Sequence, residues 1–340
     1  LRTKENAIIS FCSLTISGII GIVLAYKGFA YWGIAIQTIA FTTGTTILSY
    51  YFSGWKPSLH IDFTPIKEMI GYSSKLIVTH TFQIINNNLF SILLGKFYNE
   101  KEVGYFNQAN KWSTMGYTTI NGMLTSVAQP VLSTLADDKE RQLNALRKML
   151  RFTAFVSFPA MFGLSFTSQE LIVLAVTDKW LPSANIMQIL CIGGAFIPFS
   201  GLFSQLMLSR GHSSIYMWNT IALSLSQLFG AYLLYPYGIT PMLYAFISIN
   251  MGWTFVWLHF IQKEIKLSLS NFLKDISPYL LLSIACIFAC SFITEPIENV
   301  GLRLIGKISI VGLFYIAILW KANSTILQES IYFIFKKKGV

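Results

Sequence analysis

Apolar residues fall along this chain in long blocks instead of alternating with polar ones. About 20 apolar residues, helical at ~1.5 Å each, match the ~30 Å hydrocarbon core of a bilayer. Ten such stretches can be marked, at 7–26, 28–52, 76–95, 112–136, 152–168, 184–209, 215–234, 239–261, 277–294 and 304–320. The run ISPYLLLSIACIFACSFIT at 276–294 is almost wholly apolar, whereas 76–95 and 112–136 carry many amides and hydroxyls. Alternating segments of ~10 residues, the mark of a membrane β-barrel, do not occur. The pattern predicts an all-α integral membrane protein with about ten transmembrane helices.

Composition agrees. The chain is 54% hydrophobic and 12% charged, against ~25% charged in soluble domains. Charge then sets the expected orientation. With the spans alternating and the N-terminus inside, 18 of the 25 Lys and Arg fall in inside segments, including Lys139, Arg147, Lys263 and Lys336 to Lys338. Seven fall outside or at span ends: Lys27, Lys96, Lys101, Lys111, Lys179, Arg303 and Lys307. The positive-inside rule predicts both termini of the chain in the cytoplasm. The net charge of +10 follows from this topology and calls for no nucleic-acid partner.

The segment ADDKERQLNALRKMLRF (136–152) is then a cytoplasmic link. Leu143, Leu146 and Leu150 recur at i, i+3 and i+7, which predicts an amphipathic helix at the headgroups. Asp137 and Asp138 would face its positive N-terminal end. The tail IYFIFKKKGV (331–340) has the composition of a segment that binds anionic inner-leaflet lipid. Trp32, Trp55, Trp112, Trp180, Trp218 and Trp320 lie near span ends, where indole prefers the interface.

Catalytic chemistry is sparse. The chain has no G-x-x-x-x-G-K-[ST] phosphate loop. Cys12, Cys191, Cys286 and Cys290 lie inside spans and read as small packing residues. His60, His80, His212 and His259 lack metal-ligand spacing. No Asp or Glu falls in the middle of a span, so no coupling carboxylate is evident. No cofactor is expected, and no coupling ion is identified.

Uncharged polar residues are the richer signal. Thr79, His80, Gln83, Asn86 and Asn87 fall on one helical face, as do Thr114, Thr118, Asn121, Thr125 and Gln129. Unpaired, these groups would cost several kcal/mol in hydrocarbon. They must hydrogen-bond between helices or line a wet cavity, and either reading suits the stripes. Amides and hydroxyls would suit sugar hydroxyls, which both donate and accept. Pro130, Pro159 and Pro198 fall inside predicted spans, where each can kink its helix.

GYFNQANKW (104–112), SVAQPVLSTLADDKERQ (126–142), LRF and FPAMFGLSF (150–166), QELIVLAVTDKWLPSA (169–184) and the RGHSS loop (210–214) resemble, in that order, the second half of the polysaccharide transporter family. These are the O-antigen, capsule and exopolysaccharide flippases, related to multidrug extrusion carriers and the lipid II flippase. The resemblance implies two six-helix lobes and two extra C-terminal helices. Residues 1–55 would supply the last two spans of the N-terminal lobe, 56–262 a complete C-terminal lobe, and 263–340 two extra spans and a basic tail. Four earlier spans would be missing, in keeping with a first residue of Leu1.

The implied function is flipping of a polyprenyl-pyrophosphate-linked oligosaccharide across the bacterial inner membrane, with no bond made or broken. The implied partners are that lipid-linked oligosaccharide and membrane lipids, with a glycan polymerase and chain-length proteins as further candidates. Family members place cations in a central cavity, and Lys111 and Arg210 are the candidates here, although each also reads as a plain interfacial charge. The expected substrate path comprises Gln83, Asn86, Asn87, Lys111, Thr118, Asn121, Thr125, Gln129 and Arg210. Asp178 stands where the family often has Gly, and Gly211, His212, Ser213 and Ser214 stand where it often has Gly-Arg-Ser-Asp, which puts a salt-bridge gate at that loop in doubt. The rival readings are a drug-extruding carrier of the same superfamily and a membrane-embedded O-antigen polymerase or acyltransferase.

Overall fold

A computed structural model of the chain describes residues 3–53 and 64–336. Thirteen α-helices and no strand occur among the described residues. They fall into two compact units, residues 1–68 and 69–340.

The first unit holds α1 (Thr3–Tyr26) and α2 (Ala30–Ser53), which pack on each other. The turn between them closes at Gly28, whose φ of 78° suits glycine and few other residues. The Gly28 and Phe29 amides donate to the Ala25 and Leu24 carbonyls, ending α1. Small residues set the approach: a Cβ on Gly44 would sit 3.2 Å from Ser13 Oγ, and Ser13 and Ser17 are buried.

The second unit runs through α3 (Thr64–Phe97), α4 (Glu100–Thr134), α5 (Lys139–Phe166), α6 (Ser168–Ala175), α7 (Leu181–Gly194), α8 (Ile197–Ser209), α9 (Ser213–Leu234), α10 (Ile239–Ile265), α11 (Leu269–Thr294), α12 (Val300–Lys321) and α13 (Thr325–Lys336). α4 is central and packs against α5, α7 and α8. It starts where Asn99 accepts from the Glu102 amide at 3.0 Å, with Glu100 and Glu102 at the positive end of the helix. Its buried face is Phe106, Ala109, Ser113, Ile120, Leu124, Ala128 and Leu132. The outward faces elsewhere are apolar, with Phe288, Phe292 and Leu313 all more than 60% exposed. Among the described residues, six segments are long and apolar enough to cross a membrane, two of them Leu269–Thr294 and Val300–Lys321. The protein is therefore an all-α, multi-pass membrane protein. The stretches 28–52, 76–95, 112–136 and 215–234 form helices α2, α3, α4 and α9 that do not meet that test, so ten spans remains an expectation.

The link at 136–152 departs from its reading. It continues into the next span as α5, capped by Asp138, which accepts from the Glu140 and Arg141 amides. Leu146 and Leu150 are fully buried in the protein core, so this stripe is not free to lie on headgroups. Pro130 and Pro159 sit within continuous helices, but at Pro198 the predicted span 184–209 breaks into α7 and α8. Proline has no N–H to give the preceding turn. The Ser157 hydroxyl donates to the carbonyl of Ala195 at 2.8 Å and satisfies one backbone acceptor at the break.

Ion pairs tie the last helices to this unit. Arg147 donates to both carboxylate oxygens of Asp275 at 2.7 and 3.0 Å, joining α5 to α11. Arg303 and Lys307 on α12 each lie 2.8 Å from Oε1 of the buried Glu170 on α6. On α13, Ile326 and Leu327 are buried. The expectations on Trp55, His60, Lys337 and Lys338 fall outside the described residues.

Candidate functional site

Six helices, α3, α4, α7, α8, α9 and α10, line a cavity of about 640 Å³. α3 contributes Gln83, Asn86 and Asn87, and α4 contributes Asn110, Thr114, Thr118, Asn121 and Thr125, because steps of three and four residues keep each set on one face. The broken pair α7–α8 adds Gly193, Gly194, Ser200, Gly201 and Gln205. Interrupted helices are a recurrent way to bring polar backbone and small residues to a site at membrane depth. α9 and α10 supply Tyr216, Thr220, Ser224, Asn250 and Trp257.

Glycine governs one close approach here. A Cβ on Gly201 would collide with Oδ1 of Asn121, so any larger residue at 201 would displace that amide.

Some of the polar groups pair across the helices. Gln83 Nε2 donates to the Tyr216 hydroxyl at 3.0 Å, and Asn86 Nδ2 donates to Gln227 Oε1 at 2.7 Å. Ser200 and Thr254 hydroxyls lie 3.3 Å apart. On α3 both sequence readings apply, since Gln83 and Asn86 bridge helices and also line the cavity, whereas on α4 Thr118 and Thr125 bond to carbonyls of their own helix. Four buried atoms in and behind this wall have no partner: Asn86 Oδ1, Asn121 Oδ1, Gln205 Oε1 and Gln227 Nε2.

The electrostatics are simple: among the described residues no Asp, Glu, His, Lys or Arg lines the cavity. Among the described residues no group of three or more His, Cys, Asp or Glu could hold a metal ion. The cavity's amides, hydroxyls and aromatic faces can hold a ligand by hydrogen bonds and apolar contact.

Of the nine residues expected along a substrate path, Gln83, Asn86, Asn87, Thr118, Asn121 and Thr125 meet at the cavity. Gln129, Lys111 and Arg210 do not line it. Gln129 and Lys111 are exposed. Arg210 is held at the C-terminal end of α4, donating to Glu264 at 3.1 Å, Gln142 Oε1 at 2.7 Å and the Ala136 carbonyl at 3.2 Å. His212 Nε2 lies 3.2 Å from the other oxygen of Glu264. Asn250 went unread because it is a single amide in an otherwise apolar span, and Gln205 because it shares the span 184–209 with Asn185 and Gln188 without a repeated step that fixes a face. A rule that treats any lone amide in such a span as wall-facing would have found Asn250.

A family model described as "Polysaccharide biosynthesis protein" matches residues 1–185. Teichuronic acid biosynthesis protein TuaB of Bacillus subtilis is 25% identical over 303 residues, covering 87% of this chain and 59% of TuaB. Lipopolysaccharide biosynthesis protein WzxC of Escherichia coli is 23% identical over 172 residues, covering 50% of this chain and 35% of WzxC. The chain thus spans well under two thirds of the length of these curated relatives. Among solved structures, the lipid II flippase MurJ in an inward closed conformation superposes with a TM-score of 0.66 at 20% identity, over 94% of this chain and 66% of MurJ. That likeness is one of fold.

Proposed function

The chain belongs to the polysaccharide biosynthesis protein family, whose model spans its first 185 residues, and from that membership we propose that it works as a flippase. Its cargo is an oligosaccharide linked to a polyprenyl diphosphate, moved across the bacterial inner membrane for lipopolysaccharide, capsule or exopolysaccharide synthesis. The observation that carries this reading is the amide- and hydroxyl-lined cavity between six helices of the second unit. An oligosaccharide crossing bare hydrocarbon would strand many hydroxyls, each at a cost of ~4–8 kcal/mol in a medium that cannot hydrogen-bond. A polar wall replaces the lost water while the lipid tail stays in the bilayer, and alternating access delivers the glycan to the other face. No bond forms or breaks, and the barrier is one of desolvation.

Within this reading residues 1–55 are the last two spans of an N-terminal lobe, 56–262 a complete lobe, and 263–340 two added spans with a basic tail, with both ends of the chain cytoplasmic. Lys111 and Arg210 are carried as cationic contacts for the diphosphate outside the cavity. Arg210 reaches the Ala136 carbonyl just past the C-terminal end of α4, and the chain from Lys111 to Ala136 is roughly 37 Å long if helical throughout. The names of the relatives, TuaB and WzxC, support a role in polysaccharide assembly over a drug carrier.

The test is deletion of the full-length gene in its host. Lipid-linked oligosaccharide should then build up on the cytoplasmic face, protected in spheroplasts from an added glycan-modifying enzyme, and the intact gene should relieve it. Normal arrival of unpolymerised glycan at the outer face would refute the proposal.

A further inference from the structure

We propose that the seam between α5–α6 and the helices α11–α12 holds two membrane phospholipids, one in each leaflet, by their headgroup phosphates. The same arrangement occurs at both ends of that seam: a buried carboxylate shared by two cations. At one end Arg147 and Arg151 of α5 meet Asp275 of α11. Arg147 donates to both carboxylate oxygens at 2.7 and 3.0 Å, while Arg151 stands 3.8 Å away. At the other end Lys307 and Arg303 of α12 meet Glu170 of α6, and Lys307 also donates to the Phe166 carbonyl at 3.1 Å and lies over the Phe166 ring. One cation is enough to pair a carboxylate, so two cations against one acid leave a positive surplus in each trio. The neighbouring charges do not cancel it. Lys148 is matched by Glu329 at 2.7 Å, and among the described residues Glu295 and Glu298, in the turn before α12, make no ion pair with Arg303. None of these residues lines the cavity.

Depth and exposure point to what matches the surplus. Cys290 Sγ of α11 lies 3.8 Å from the Lys307 carbonyl, so those two residues stand at one level. The steps from Asp275 to Cys290 and from Lys307 out to Arg303, taken at ~1.5 Å per residue, set the two trios roughly 28 Å apart along the helix axes. That is close to the ~30 Å hydrocarbon thickness of a bilayer, which places one trio at each edge of the hydrocarbon. In both trios the more exposed cation is the one left over. Arg151 is 39% and Arg303 32% exposed, beside the exposed apolar side chains of Phe152, Leu302 and Ile305. A surface that meets lipid tails at those side chains brings lipid headgroups to the guanidiniums. There a phosphate supplies both the countercharge and the paired acceptors that a guanidinium fork takes.

The test uses the full-length protein in detergent, stripped of lipid, with phosphatidylglycerol as the probe and retained lipid counted by native mass spectrometry. Arg151→Gln and Arg303→Gln should each lose one of two tightly held molecules, with binding at the altered site about 10-fold weaker, and the double variant should lose both. Arg147 and Lys307 still pair the carboxylates in these variants, so the lipid-free melting temperature should hold. Arg151→Lys and Arg303→Lys, which keep the charge, should retain most of the lipid. A second measurement needs no variant: diacylglycerol, the same lipid without its phosphate, should not be retained by the unsubstituted protein. Lipid counts unchanged by both Gln substitutions, or equal retention of diacylglycerol, overturn the proposal. So does displacement of the lipid by millimolar inorganic phosphate, which would mark a site for free anions. A preference of the same two arginines for polyprenyl diphosphate over phosphatidylglycerol also overturns it, by assigning them to the cargo.

Discussion

Asn121 illustrates how much one side chain carries. It lies on the polar stripe of α4, presses on Gly201, and presents a buried, unpartnered Oδ1 at the cavity. If the proposed flippase reading holds, Asn121→Ala should slow transport without loss of stability, as a flipping assay and a melting curve on the same preparation would separate. Arg210 behaves oppositely. Its guanidinium is engaged with Glu264, Gln142 and a backbone carbonyl, so Arg210→Ala leaves the buried Gln142 Oε1 and the Ala136 carbonyl without this donor and Glu264 with His212 alone. A loss of about 1–3 kcal/mol in stability is expected from denaturant melts. Arg210→Lys should recover little of it, since an ammonium cannot span three acceptors with the geometry of the guanidinium fork.

Among the elements, the interrupted pair α7–α8 and the added helices α11 and α12 are the informative ones. Ser157→Ala should leave the Ala195 carbonyl unpaired at the helix break and lower stability by about 1–3 kcal/mol, measurable by thermal melting in detergent. Asp275→Asn removes the partner of Arg147 and should cost about 3–5 kcal/mol, with α11 becoming accessible to protease before the rest of the unit. Much of this was legible in the sequence, because blocks of apolar residues reveal helices whatever their packing. The polar stripes at 76–95 and 112–136 could also be read, since a repeated step of three or four residues fixes a face. Three features could not be read. Pro198 breaks its helix whereas Pro159 does not, and only the packing around each decides which. Leu146 and Leu150 look like a headgroup stripe, yet α5 runs on as one helix and buries them among its neighbours. Glu170 sits far from Arg303 and Lys307 in sequence, so its pairing needs the fold.

For the whole molecule, the proposed orientation has direct consequences. Cysteines introduced at Asn144 and Lys101, both exposed, should label from opposite sides of the membrane, Asn144→Cys only from the cytoplasm and Lys101→Cys only from outside. The opposite pattern would reverse the placement of both termini. The central claim is that this protein moves a lipid-linked glycan between leaflets. Its most direct test is reconstitution of the full-length protein into liposomes loaded with polyprenyl-diphosphate-linked oligosaccharide, followed by exposure to a glycan-modifying enzyme that cannot cross the bilayer. Without protein, roughly half of the glycan, the outer leaflet's share, should react, since leaflets of a large vesicle hold similar amounts and the polar cargo does not cross alone. With the protein, nearly all of it should react over time, and the Asn121→Ala, Gln205→Ala double variant should slow that second phase. A reacted fraction that stays at the protein-free level with the folded, unsubstituted protein would contradict the account.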